Sequence, residues 1–431
     1  MQLSFANRRL ELLELERAAR SGGLLVVYGR RRVGKTRLLR RWIEERAGLY
    51  SQAIEGAPAI QLDQMFQDMS GALGTALVPK TWAEFLELLK LHKTRGWVLC
   101  IDEFPYLVAS DPTLPSVLQR WLDHGQPANT LVILSGSSTR MMHDLFLNRT
   151  AALYGRAQKL LHIAPMSYGA FCRACHLDKV DRASFARFSL VGGVPKYWEF
   201  VRADASVLAL ADELYFGFAP YMEQEPARIL RDEQVAGINP LSVLEAVGRG
   251  AEKPSEIAAR LGTAQTNISR LLQQLLDASV LERFMPFGES LRTTKKLRYR
   301  IQDPALRFWF RVYSPHRTRW TSYSIAEKTR LIDAHAALVF EDYCRQQFPD
   351  SGSYWEGDIE FDVVNKVKSS TGAEVLNISE VKWAQQSAAS VKRICTQLSA
   401  NYQRSSLSRK YRESVSFKVL DPRILRLAKP D

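Results

Sequence analysis

The sequence predicts an α/β protein whose N-terminal half is built on a parallel sheet covered by helices. Three apolar runs carry this prediction, because each has the length of a buried strand and is followed by small or polar residues: 24–27, 97–101 and 131–134. Stretches with a helical spacing of apolar residues separate the runs. Strands joined by helices favour a parallel sheet whose polar strand ends meet at one edge, where ligands bind.

A glycine-containing loop follows the first run and precedes a helical stretch. It has Gly29, four further residues and then Gly34-Lys35-Thr36, the complete phosphate-loop pattern in its required strand–loop–helix context. Glycines let backbone N–H groups turn inward around an anion, and the helix adds its positive N-terminal end. Lys35 is expected to reach the β- and γ-phosphates, and the Thr36 hydroxyl to bind Mg²⁺. The loop therefore predicts ATP and Mg²⁺ as ligands, with nucleotide contacts from Gly29, Arg30, Arg31, Arg32, Val33, Gly34, Lys35, Thr36 and Arg37.

The other two runs end in candidate catalytic residues. The second ends in Asp102-Glu103. We expect Asp102 to hold Mg²⁺, directly or through water, and Glu103 to orient and deprotonate the attacking water. The third leads into Ser135-Gly-Ser137, and the hydroxyl of Ser135 or of Ser137 is a candidate donor to the γ-phosphate or the attacking water. Together these residues predict a site for nucleotide hydrolysis.

Charge and cysteine content indicate the partner class and the compartment. A formal net charge of +13 over 431 residues favours an anionic partner, nucleic acid first of all. The five cysteines are odd in number and scattered, which suits a reducing compartment. The charged stretch 1–16 lacks the apolar core of a signal peptide, and no run approaches the ~18 apolar residues of a membrane span. We therefore expect a cytoplasmic protein without a membrane partner.

The stretch 241–301 has the pattern of a winged helix-turn-helix. Three helical stretches, the second closed by Gly262, are followed by two strand-like runs around a basic tip. In this motif the second helix of the helix-turn-helix lies in the major groove of DNA. Base contacts are expected from Gln265, Thr266, Asn267, Ser269 and Arg270, and phosphate contacts from Arg292, Lys295 and Lys296. Two alternatives stay open: RNA as the partner, or a domain that packs against the rest of the protein without touching DNA.

Further motifs occur in a fixed order along the chain, namely Phe5-x-Asn7-Arg8, Tyr154-Gly155-Arg156 and Gly192-Gly193-Val194-Pro195-Lys196-Tyr197. Together with the phosphate loop and the acidic strand end, they resemble the archaeal-type ATPase family. This family belongs to the STAND class of P-loop NTPases, which are related to AAA+ proteins. The resemblance covers 1–235 and implies that Phe5, Arg8 and Pro195 lie near the nucleotide base. It also implies that Arg156 or Arg140 reaches the γ-phosphate, in cis or across a subunit interface of a homo-oligomer.

The C-terminal region resembles the PD-(D/E)xK nuclease fold that accompanies this ATPase family. Asp362 lies on an alternating strand, the next strand leads to Glu380-x-Lys382, and the preceding helix carries Glu341. A period of two places Glu380 and Lys382 on one face. The resemblance implies that Glu341, Asp362 and Glu380 bind Mg²⁺. It further implies that Lys382 positions the water or stabilises the charge on the phosphate.

These features divide the chain into three expected domains. They are a P-loop ATPase domain with a helical lid at 1–235, a winged helix-turn-helix at 236–315 and an α/β restriction-endonuclease-like domain at 316–431. The leading hypothesis is an ATPase whose nucleotide state controls DNA binding and a metal-dependent nuclease domain. The alternative is a nucleotide-operated DNA-binding switch or scaffold with an inactive nuclease domain. An origin-recognition-like loader shares the first two domains but leaves Asp362, Glu380 and Lys382 unexplained.

Overall fold

The computed structural model describes residues 5, 7–46, 48–75, 77–91, 97–127, 129–177, 179–235, 239–292, 294–368, 374–411 and 414–425. Its N-terminal sheet has the spatial order β2-β3-β4-β1-β5, and every neighbouring pair is parallel. The strands are β1 (Gly23–Tyr28), β2 (Gly48–Gln52), β3 (Val98–Asp102), β4 (Leu131–Gly136) and β5 (Ala157–His162). All residues of β3 and β4 are buried, which is why both read as continuous apolar runs. The predicted α/β class with a central parallel sheet is confirmed.

Helices cover both faces of this sheet, because each presents an apolar stripe to it. A 3₁₀ turn (Leu89–Leu91) directly follows the helix that ends at Leu88. The helices are α1 (Arg9–Ser21), α2 (Lys35–Glu44), α3 (Pro58–Leu73), α4 (Trp82–Leu88), α5 (Phe104–Ser110), α6 (Leu114–His124) and α7 (Thr139–Phe146).

A second helical layer, which we call the lid, follows β5. It includes a π-helical turn (Asp212–Phe216) and a core rich in aromatic side chains. Its helices are α8 (Tyr168–Ala174), α9 (Arg182–Val191), α10 (Pro195–Trp198), α11 (Val207–Ala211) and α12 (Glu225–Asp232).

Three helices and an antiparallel hairpin come next, and we call them the three-helix unit. They are α13 (Pro240–Gly248), α14 (Pro254–Arg260), α15 (Gln265–Asp277), β6 (Leu281–Phe284) and β7 (Arg298–Ile301). Ile268, Leu271, Leu272 and Leu275 of α15 recur at helical spacing and are buried in the core of this unit. The order of elements is the one expected of a winged helix-turn-helix.

The C-terminal unit carries a four-stranded sheet of order β11-β10-β9-β8, in which only β10 and β11 are parallel. Before the sheet lie α16 (Pro304–Phe308), a π-helical turn (Trp309–Tyr313), α17 (Ser314–His316), a 3₁₀ turn (Trp320–Ser322) and α18 (Ile325–Gln346). The sheet and its helices are β8 (Gly352–Glu356), β9 (Ile359–Lys368), β10 (Glu374–Val381), α19 (Ala388–Arg404), α20 (Ser406–Lys410), β11 (Ser414–Leu420) and a 3₁₀ turn (Pro422–Ile424).

The lid and the C-terminal unit share one hydrophobic core. The ring of Phe185 on α9 lies 5.4 Å from that of Phe340 on α18 and 5.7 Å from that of Trp383. The imidazole of His335 on α18 is within 2.9 Å of the Ser189 carbonyl oxygen, and burial lowers its pKa to about 3. A neutral, buried histidine is compatible with an apolar interface, so α18 belongs as much to the lid as to the sheet behind it.

Within the described ranges, no helix combines the length and the apolar character needed to cross a bilayer.

Candidate nucleotide-binding site

The phosphate loop lies at the carboxyl end of β1 and leads directly into α2. Gly34 has φ of 99°, and a Cβ atom there would meet no neighbour within 4 Å, so its backbone borders open space. The Lys35 ammonium is almost fully buried and donates to the carbonyl oxygens of Gly29 at 2.8 Å and Arg30 at 3.2 Å. Burial lowers the pKa of Lys35, opposed by the nearby carboxylates of Glu103 and Asp102. A cation so little solvated interacts strongly with an incoming phosphate.

The sheet order brings the acidic strand end to the loop, because β4 alone separates β1 from β3. The Thr36 hydroxyl donates to Asp102 Oδ2 at 2.6 Å, and the Tyr50 hydroxyl donates to the same oxygen at 3.1 Å. Burial, with the Asp102 charge, raises the pKa of Tyr50, which therefore stays a neutral donor. Thr36 and Asp102 thus offer the hydroxyl and carboxylate oxygens that Mg²⁺ prefers. Tyr50 contacts this pair, although no sequence pattern singled it out.

Glu103 lies beside Asp102 in the left-handed backbone region, with φ of 55°. Its Oε2 accepts from the Ser137 hydroxyl at 2.7 Å and from the Ser137 backbone N–H at 3.1 Å. Ser135 lies near the end of β4, two residues before Ser137. Its hydroxyl is buried and has no hydrogen-bond partner among the described residues. A buried hydroxyl without a partner is costly, so it fits a polar ligand such as a phosphate oxygen or a water.

A cavity of about 780 Å³ opens over the loop and is large enough for a nucleotide. It is lined by Lys35, Thr36 and Glu103 on one side and by Phe5 and Pro195 further out. Two of the three residues expected near the base, Phe5 and Pro195, therefore border the same cavity as the phosphate-binding residues, and Arg8 does not. The guanidinium of Arg37 lies 5.9 Å from the Phe5 ring and that of Arg41 lies 4.6 Å from it.

Arg8 stands behind the loop. One of its Nη atoms donates to the Val33 carbonyl oxygen at 2.8 Å, and the other donates to Glu11 at 2.7 Å. Arg8 is 5% exposed, so its guanidinium supports the loop from below. The structure thus places Arg8 as a support for the loop backbone.

Arg30 points away from the cavity and into the protein. Its Nη1 donates to Asp303 Oδ2 at 2.7 Å in an ion pair whose side chains are 7% and 4% exposed. Asp303 also caps α16 by accepting from the Leu306 N–H at 2.9 Å. Only the backbone of Arg30 is therefore available to contact a nucleotide. Its side chain instead joins the phosphate loop to the segment that follows the three-helix unit.

The next two arginines of the loop bind the lid. Arg31 donates to both oxygens of Asp232, at 2.8 and 2.9 Å, and Arg32 pairs with Glu225. Glu225 is 3% exposed and also accepts from the Tyr197 hydroxyl at 2.8 Å. Three consecutive loop residues are thus each paired with a carboxylate outside the sheet. Glu225 and Asp232 lie seven residues apart on one face of α12, and this spacing alone does not show in the sequence that both carboxylates meet the loop.

Glu233, just after α12, connects the lid to the residues that follow β4. Its carboxylate accepts at 3.3 Å from the N–H groups of Thr139 and Arg140 and from the Ser138 hydroxyl, at the start of α7. Burial raises the pKa of Glu233 to about 7, and the hydrogen bonds from Arg140 and Thr139 only partly offset it. The side chain is 2% exposed, so the lid contains a carboxyl group that titrates near neutral pH.

Replacing Glu233 by glutamine is expected to change the free energy of unfolding, relative to wild type, in a more stabilising direction at pH 8 than at pH 5. The unfolded chain ionises Glu233 near 4.5 and the folded chain near 7, so wild type loses stability as pH rises through this range. The difference between these two pKa values corresponds to roughly 3 kcal/mol of stability, which the glutamine variant does not lose because glutamine does not ionise. Urea unfolding of both proteins at pH 5 and pH 8 measures the effect. The control is Glu87→Gln, which changes an exposed glutamate and should alter the free energy of unfolding equally at pH 5 and pH 8. If Glu233→Gln also differs from wild type by the same amount at both pH values, the prediction is contradicted.

Arg156 does not lie near the phosphate loop of its own chain. It immediately precedes β5, whose first residue Ala157 is in register with Leu24 near the start of β1, whereas the loop follows the end of that strand. Four residues of strand separate the two edges, roughly 13 Å. The guanidinium forms a two-bond ion pair with Asp123, at 2.9 and 3.0 Å. The expectation of a cis contact is therefore wrong, and a contact across a subunit interface stays a prediction.

Arg140, the other candidate, starts α7 at the loop edge of the sheet. Its Nη1 donates to the Gln234 carbonyl oxygen of the lid at 2.9 Å. Arg140 thus lies at the same end of the sheet as the phosphate loop and is bound to the lid.

In the C-terminal unit, the expected nuclease residues fall on α18, β9 and the end of β10. Lys382 Nζ donates to Glu380 Oε1 at 2.8 Å, and Asp362 Oδ2 accepts from the Val381 N–H at 2.7 Å. Burial, with the Glu380 charge, raises the pKa of Asp362 to about 6; burial, with the Asp362 charge, raises that of Glu341 to about 8. Among the described residues, however, no group of three or more Asp, Glu, His or Cys side chains is arranged to hold a metal ion. Three carboxylates around one Mg²⁺ are therefore not preformed here.

The candidate DNA-contacting residues lie on the surface of the three-helix unit. At the start of α15 the exposed residues are Gln265, Thr266, Asn267, Ser269 and Arg270. In the hairpin tip Arg292, Lys295 and Lys296 are exposed as well, although Lys296 Nζ also binds Glu289 at 2.9 Å. The first part of the loop that joins β6 to β7 packs on the C-terminal unit, since the Phe287 N–H donates to the Ser353 carbonyl oxygen at 2.8 Å.

Comparison with known proteins agrees with the geometry of the N-terminal part. Residues 5–198 match the model of a family described as an ATPase domain predominantly from Archaea. This segment is therefore similar to archaeal-type ATPase domains. Over 425 residues the chain is 27% identical to the uncharacterized protein MJECL04 of Methanocaldococcus jannaschii, covering 94% of this chain and 92% of that one.

Solved structures also show similarity to this chain. The Walker-type ATPase PABY2304 of Pyrococcus abyssi is 19% identical, with a TM-score of 0.51 over 72% of this chain and 96% of that one. That similarity shows a shared fold. Cdc6p from Pyrobaculum aerophilum is 15% identical over 77% of this chain and 97% of its own, but its TM-score of 0.33 is too low to argue from.

Proposed function

We propose that this protein binds and hydrolyses ATP, and that its nucleotide state controls a DNA-binding winged helix and a nuclease-fold C-terminal domain. In the hydrolytic step, water attacks the γ-phosphate while Glu103 takes up its proton, and ADP leaves as Lys35 balances the charge on the β- and γ-phosphates. Bound Mg²⁺, held by Thr36 and Asp102, would neutralise part of that phosphate charge. The archaeal-type ATPase match and the buried hydroxyl of Ser135 support this assignment.

The observation that carries the control function is the pairing of the three loop arginines. Arg30, Arg31 and Arg32 stand between the two glycines of the phosphate loop, and each pairs with a carboxylate of the lid or of the segment after the three-helix unit. Phosphates bound to this loop change the field around all three guanidinium groups, because charges a few ångströms apart interact strongly when partly buried. Nucleotide binding is thereby coupled to the position of the lid and, through Asp303, to the three-helix unit.

DNA is the partner we propose for the three-helix unit. The exposed polar start of α15 and the exposed basic hairpin tip present the two contact types of a winged helix, to base edges and to phosphates. The net charge of +13 favours the same partner.

Coupling predicts that the affinity for DNA depends on the bound nucleotide. We expect the dissociation constant for a fluorescent duplex to differ on the order of 10-fold between a non-hydrolysable ATP analogue and ADP. In Asp232→Asn this ratio should fall toward one, because the variant weakens the partly exposed Arg31 pair without disturbing the core. The control is Asp358→Asn, which makes the same chemical change in a more exposed pair with Arg404 in the C-terminal unit and should keep the wild-type ratio. Equal affinities in both nucleotide states for wild type would sink the proposal.

We also propose that Arg156 acts across a subunit interface of a homo-oligomer. It lies at the sheet edge opposite the loop, where it can reach only a neighbouring molecule's nucleotide. Its pair with Asp123 is partly exposed and therefore costs little to exchange for a phosphate.

A second function is favoured by the finding that the described carboxylates form no three-ligand metal group. In this case the C-terminal domain is a scaffold and the protein is a nucleotide-operated DNA-binding switch. Cleavage of plasmid, forked or single-stranded DNA in Mg²⁺ or Mn²⁺ decides between the two. Cleavage that Glu380→Ala abolishes favours the nuclease, and no cleavage by wild type favours the switch.

A further inference from the structure

The loop 285–297 joins β6 to β7, and we call it the wing; its first part is docked on the C-terminal unit. Phe287 packs against the hydrophobic core of the C-terminal sheet, and its ring lies 6.1 Å from the ring of Tyr411. Gly288 follows with φ of 78°, and its carbonyl oxygen accepts a hydrogen bond from the Lys410 ammonium. A Cβ atom at Gly288 would lie 2.8 Å from the Tyr411 hydroxyl oxygen, so glycine permits the close approach.

A second set of contacts fixes the strands of the same hairpin. The ring of Phe284, at the end of β6, lies 5.5 Å from that of Trp355 on β8. The guanidinium of Arg298, at the start of β7, lies 4.2 Å from the Trp355 ring, and its Nη1 donates to Glu360 at 2.9 Å. Because the strands and the wing are attached separately, the orientation of the hairpin on the C-terminal unit is fixed as well as its position.

Basic side chains of the C-terminal unit lie next to the docked wing. The ammonium groups of Lys366 on β9 and Lys410 on α20 lie 4.8 and 5.7 Å from the centre of the Tyr411 ring. Lys368 follows Lys366 at the strand period of two, so both side chains point to the same face of β9. Arg409 precedes Lys410 on α20, and all four cations are exposed. They thus belong to two segments that border the wing.

The wing adds its own cations to this region. Arg292, Lys295 and Lys296 are exposed there. Lys296 pairs with Glu289, whose carboxylate also interacts electrostatically with Lys410 of α20, so the charges of the wing and of the C-terminal unit are close together.

The region as a whole keeps an excess of positive charge. Glu289 offsets one cation of the wing, and Glu374 offsets one of β9 by pairing with Lys366 at 2.7 Å. The remaining like charges come from three segments and repel one another, and an anion that spans the segments relieves this repulsion.

We propose that the wing and the C-terminal unit bind one DNA duplex together, through a composite basic surface. This surface consists of Arg292, Lys295, Lys366, Lys368, Arg409 and Lys410. Its ligand is the phosphate backbone, which exposed lysines and arginines bind without reading the bases. Since the wing is expected to meet the backbone beside the groove that α15 enters, cations fixed next to the wing lie where the same duplex continues. This inference rests on the proposed DNA-binding function and adds the C-terminal unit to its DNA contacts.

The test measures how steeply the affinity for DNA depends on salt, because each phosphate contact contributes about 0.9 to the slope of log Kd against log salt concentration. Fluorescence anisotropy of the full-length protein is recorded on a duplex of about 30 base pairs, roughly 100 Å long, in saturating ADP. The double variant Lys368→Ala/Arg409→Ala is expected to lower the slope by about two. The wing variant Arg292→Ala/Lys295→Ala should lower it by a similar amount.

The charge-matched control is Lys80→Ala/Arg120→Ala, which removes two exposed cations beside the N-terminal sheet and should keep the wild-type slope. If the wing variant lowers the slope while Lys368→Ala/Arg409→Ala binds like wild type, the duplex does not reach the C-terminal unit. The inference is then overturned and the proposed DNA-binding function stands. A wild-type protein that binds no duplex would end both. A decrease of equal size in the control would reveal a general charge effect and would also overturn the inference.

Discussion

Replacing Glu103 by glutamine is expected to lower the rate of ATP hydrolysis at least 100-fold while leaving ATP binding near the wild-type level. General-base catalysis contributes roughly 10²–10⁴-fold, and glutamine keeps the shape of Glu103 and its contact with Ser137 but cannot accept a proton. Lys35→Ala is expected to lose both binding and hydrolysis, because it removes a nearly buried cation from the phosphate loop.

Phosphate release at saturating ATP, together with the affinity for a fluorescent ATP analogue, separates these two effects. Glu87→Gln, which changes an exposed glutamate far from the loop, controls for the loss of one negative charge and should hydrolyse ATP normally. A Glu103→Gln protein with the wild-type turnover would show that another group activates the water.

The second large effect is expected for Asp342→Ala, which should destabilise the folded protein by about 3–5 kcal/mol. Asp342 is 13% exposed and accepts from Arg300, Arg307 and Arg345, so its removal leaves three largely buried cations without their shared partner. These arginines hold the pKa of Asp342 well below its usual range despite its burial, which by itself would raise it. Because the folded pKa is depressed, this contribution is present above the unfolded value near 3.9 and is lost as pH falls below it.

Urea unfolding at pH 7 measures the loss in Asp342→Ala. Asp358→Asn is the matched control, because its pair with Arg404 is exposed on both sides and should change stability by less than about 1 kcal/mol. A loss of similar size in both variants would mean that the Asp342 cluster contributes no more than a surface ion pair.

Local patterns were enough to predict the central sheet and the contact between the phosphate loop and the acidic strand end. Buried parallel strands read as continuous apolar runs, and the phosphate loop has a spacing that its backbone geometry demands. The proximity of Thr36, Asp102 and Ser135 followed from the rule that parallel strand ends meet at one edge. Tyr50, which contacts Asp102, lies at the middle of β2, a position that no local pattern distinguishes.

The alternative that Arg156 reaches the γ-phosphate bound to its own chain was wrong because it depends on strand pairing, which a local pattern does not show. Its motif gives its place in the chain but not the edge of the sheet on which it lies, and that edge depends on the pairing of β5 with β1. Likewise, the carboxylates of Glu225, Asp232 and Asp303 look like ordinary surface charges until the lid and the α16 segment fold back onto the loop. Their partners are roughly 200 to 270 residues away in the chain.

The sequence by itself determined the α/β class, the phosphate loop and the order of units, because these depend on short-range periodicity and on motifs within one strand–loop–helix. Only the tertiary structure decided that the loop arginines pair with the lid and that α18 shares the core of the lid. It also decided that Glu341 and Asp362 border a cavity together with Arg298 and Arg300 of the three-helix unit. Such contacts depend on how amphipathic surfaces from distant segments pack against one another, and no local pattern encodes which surfaces meet.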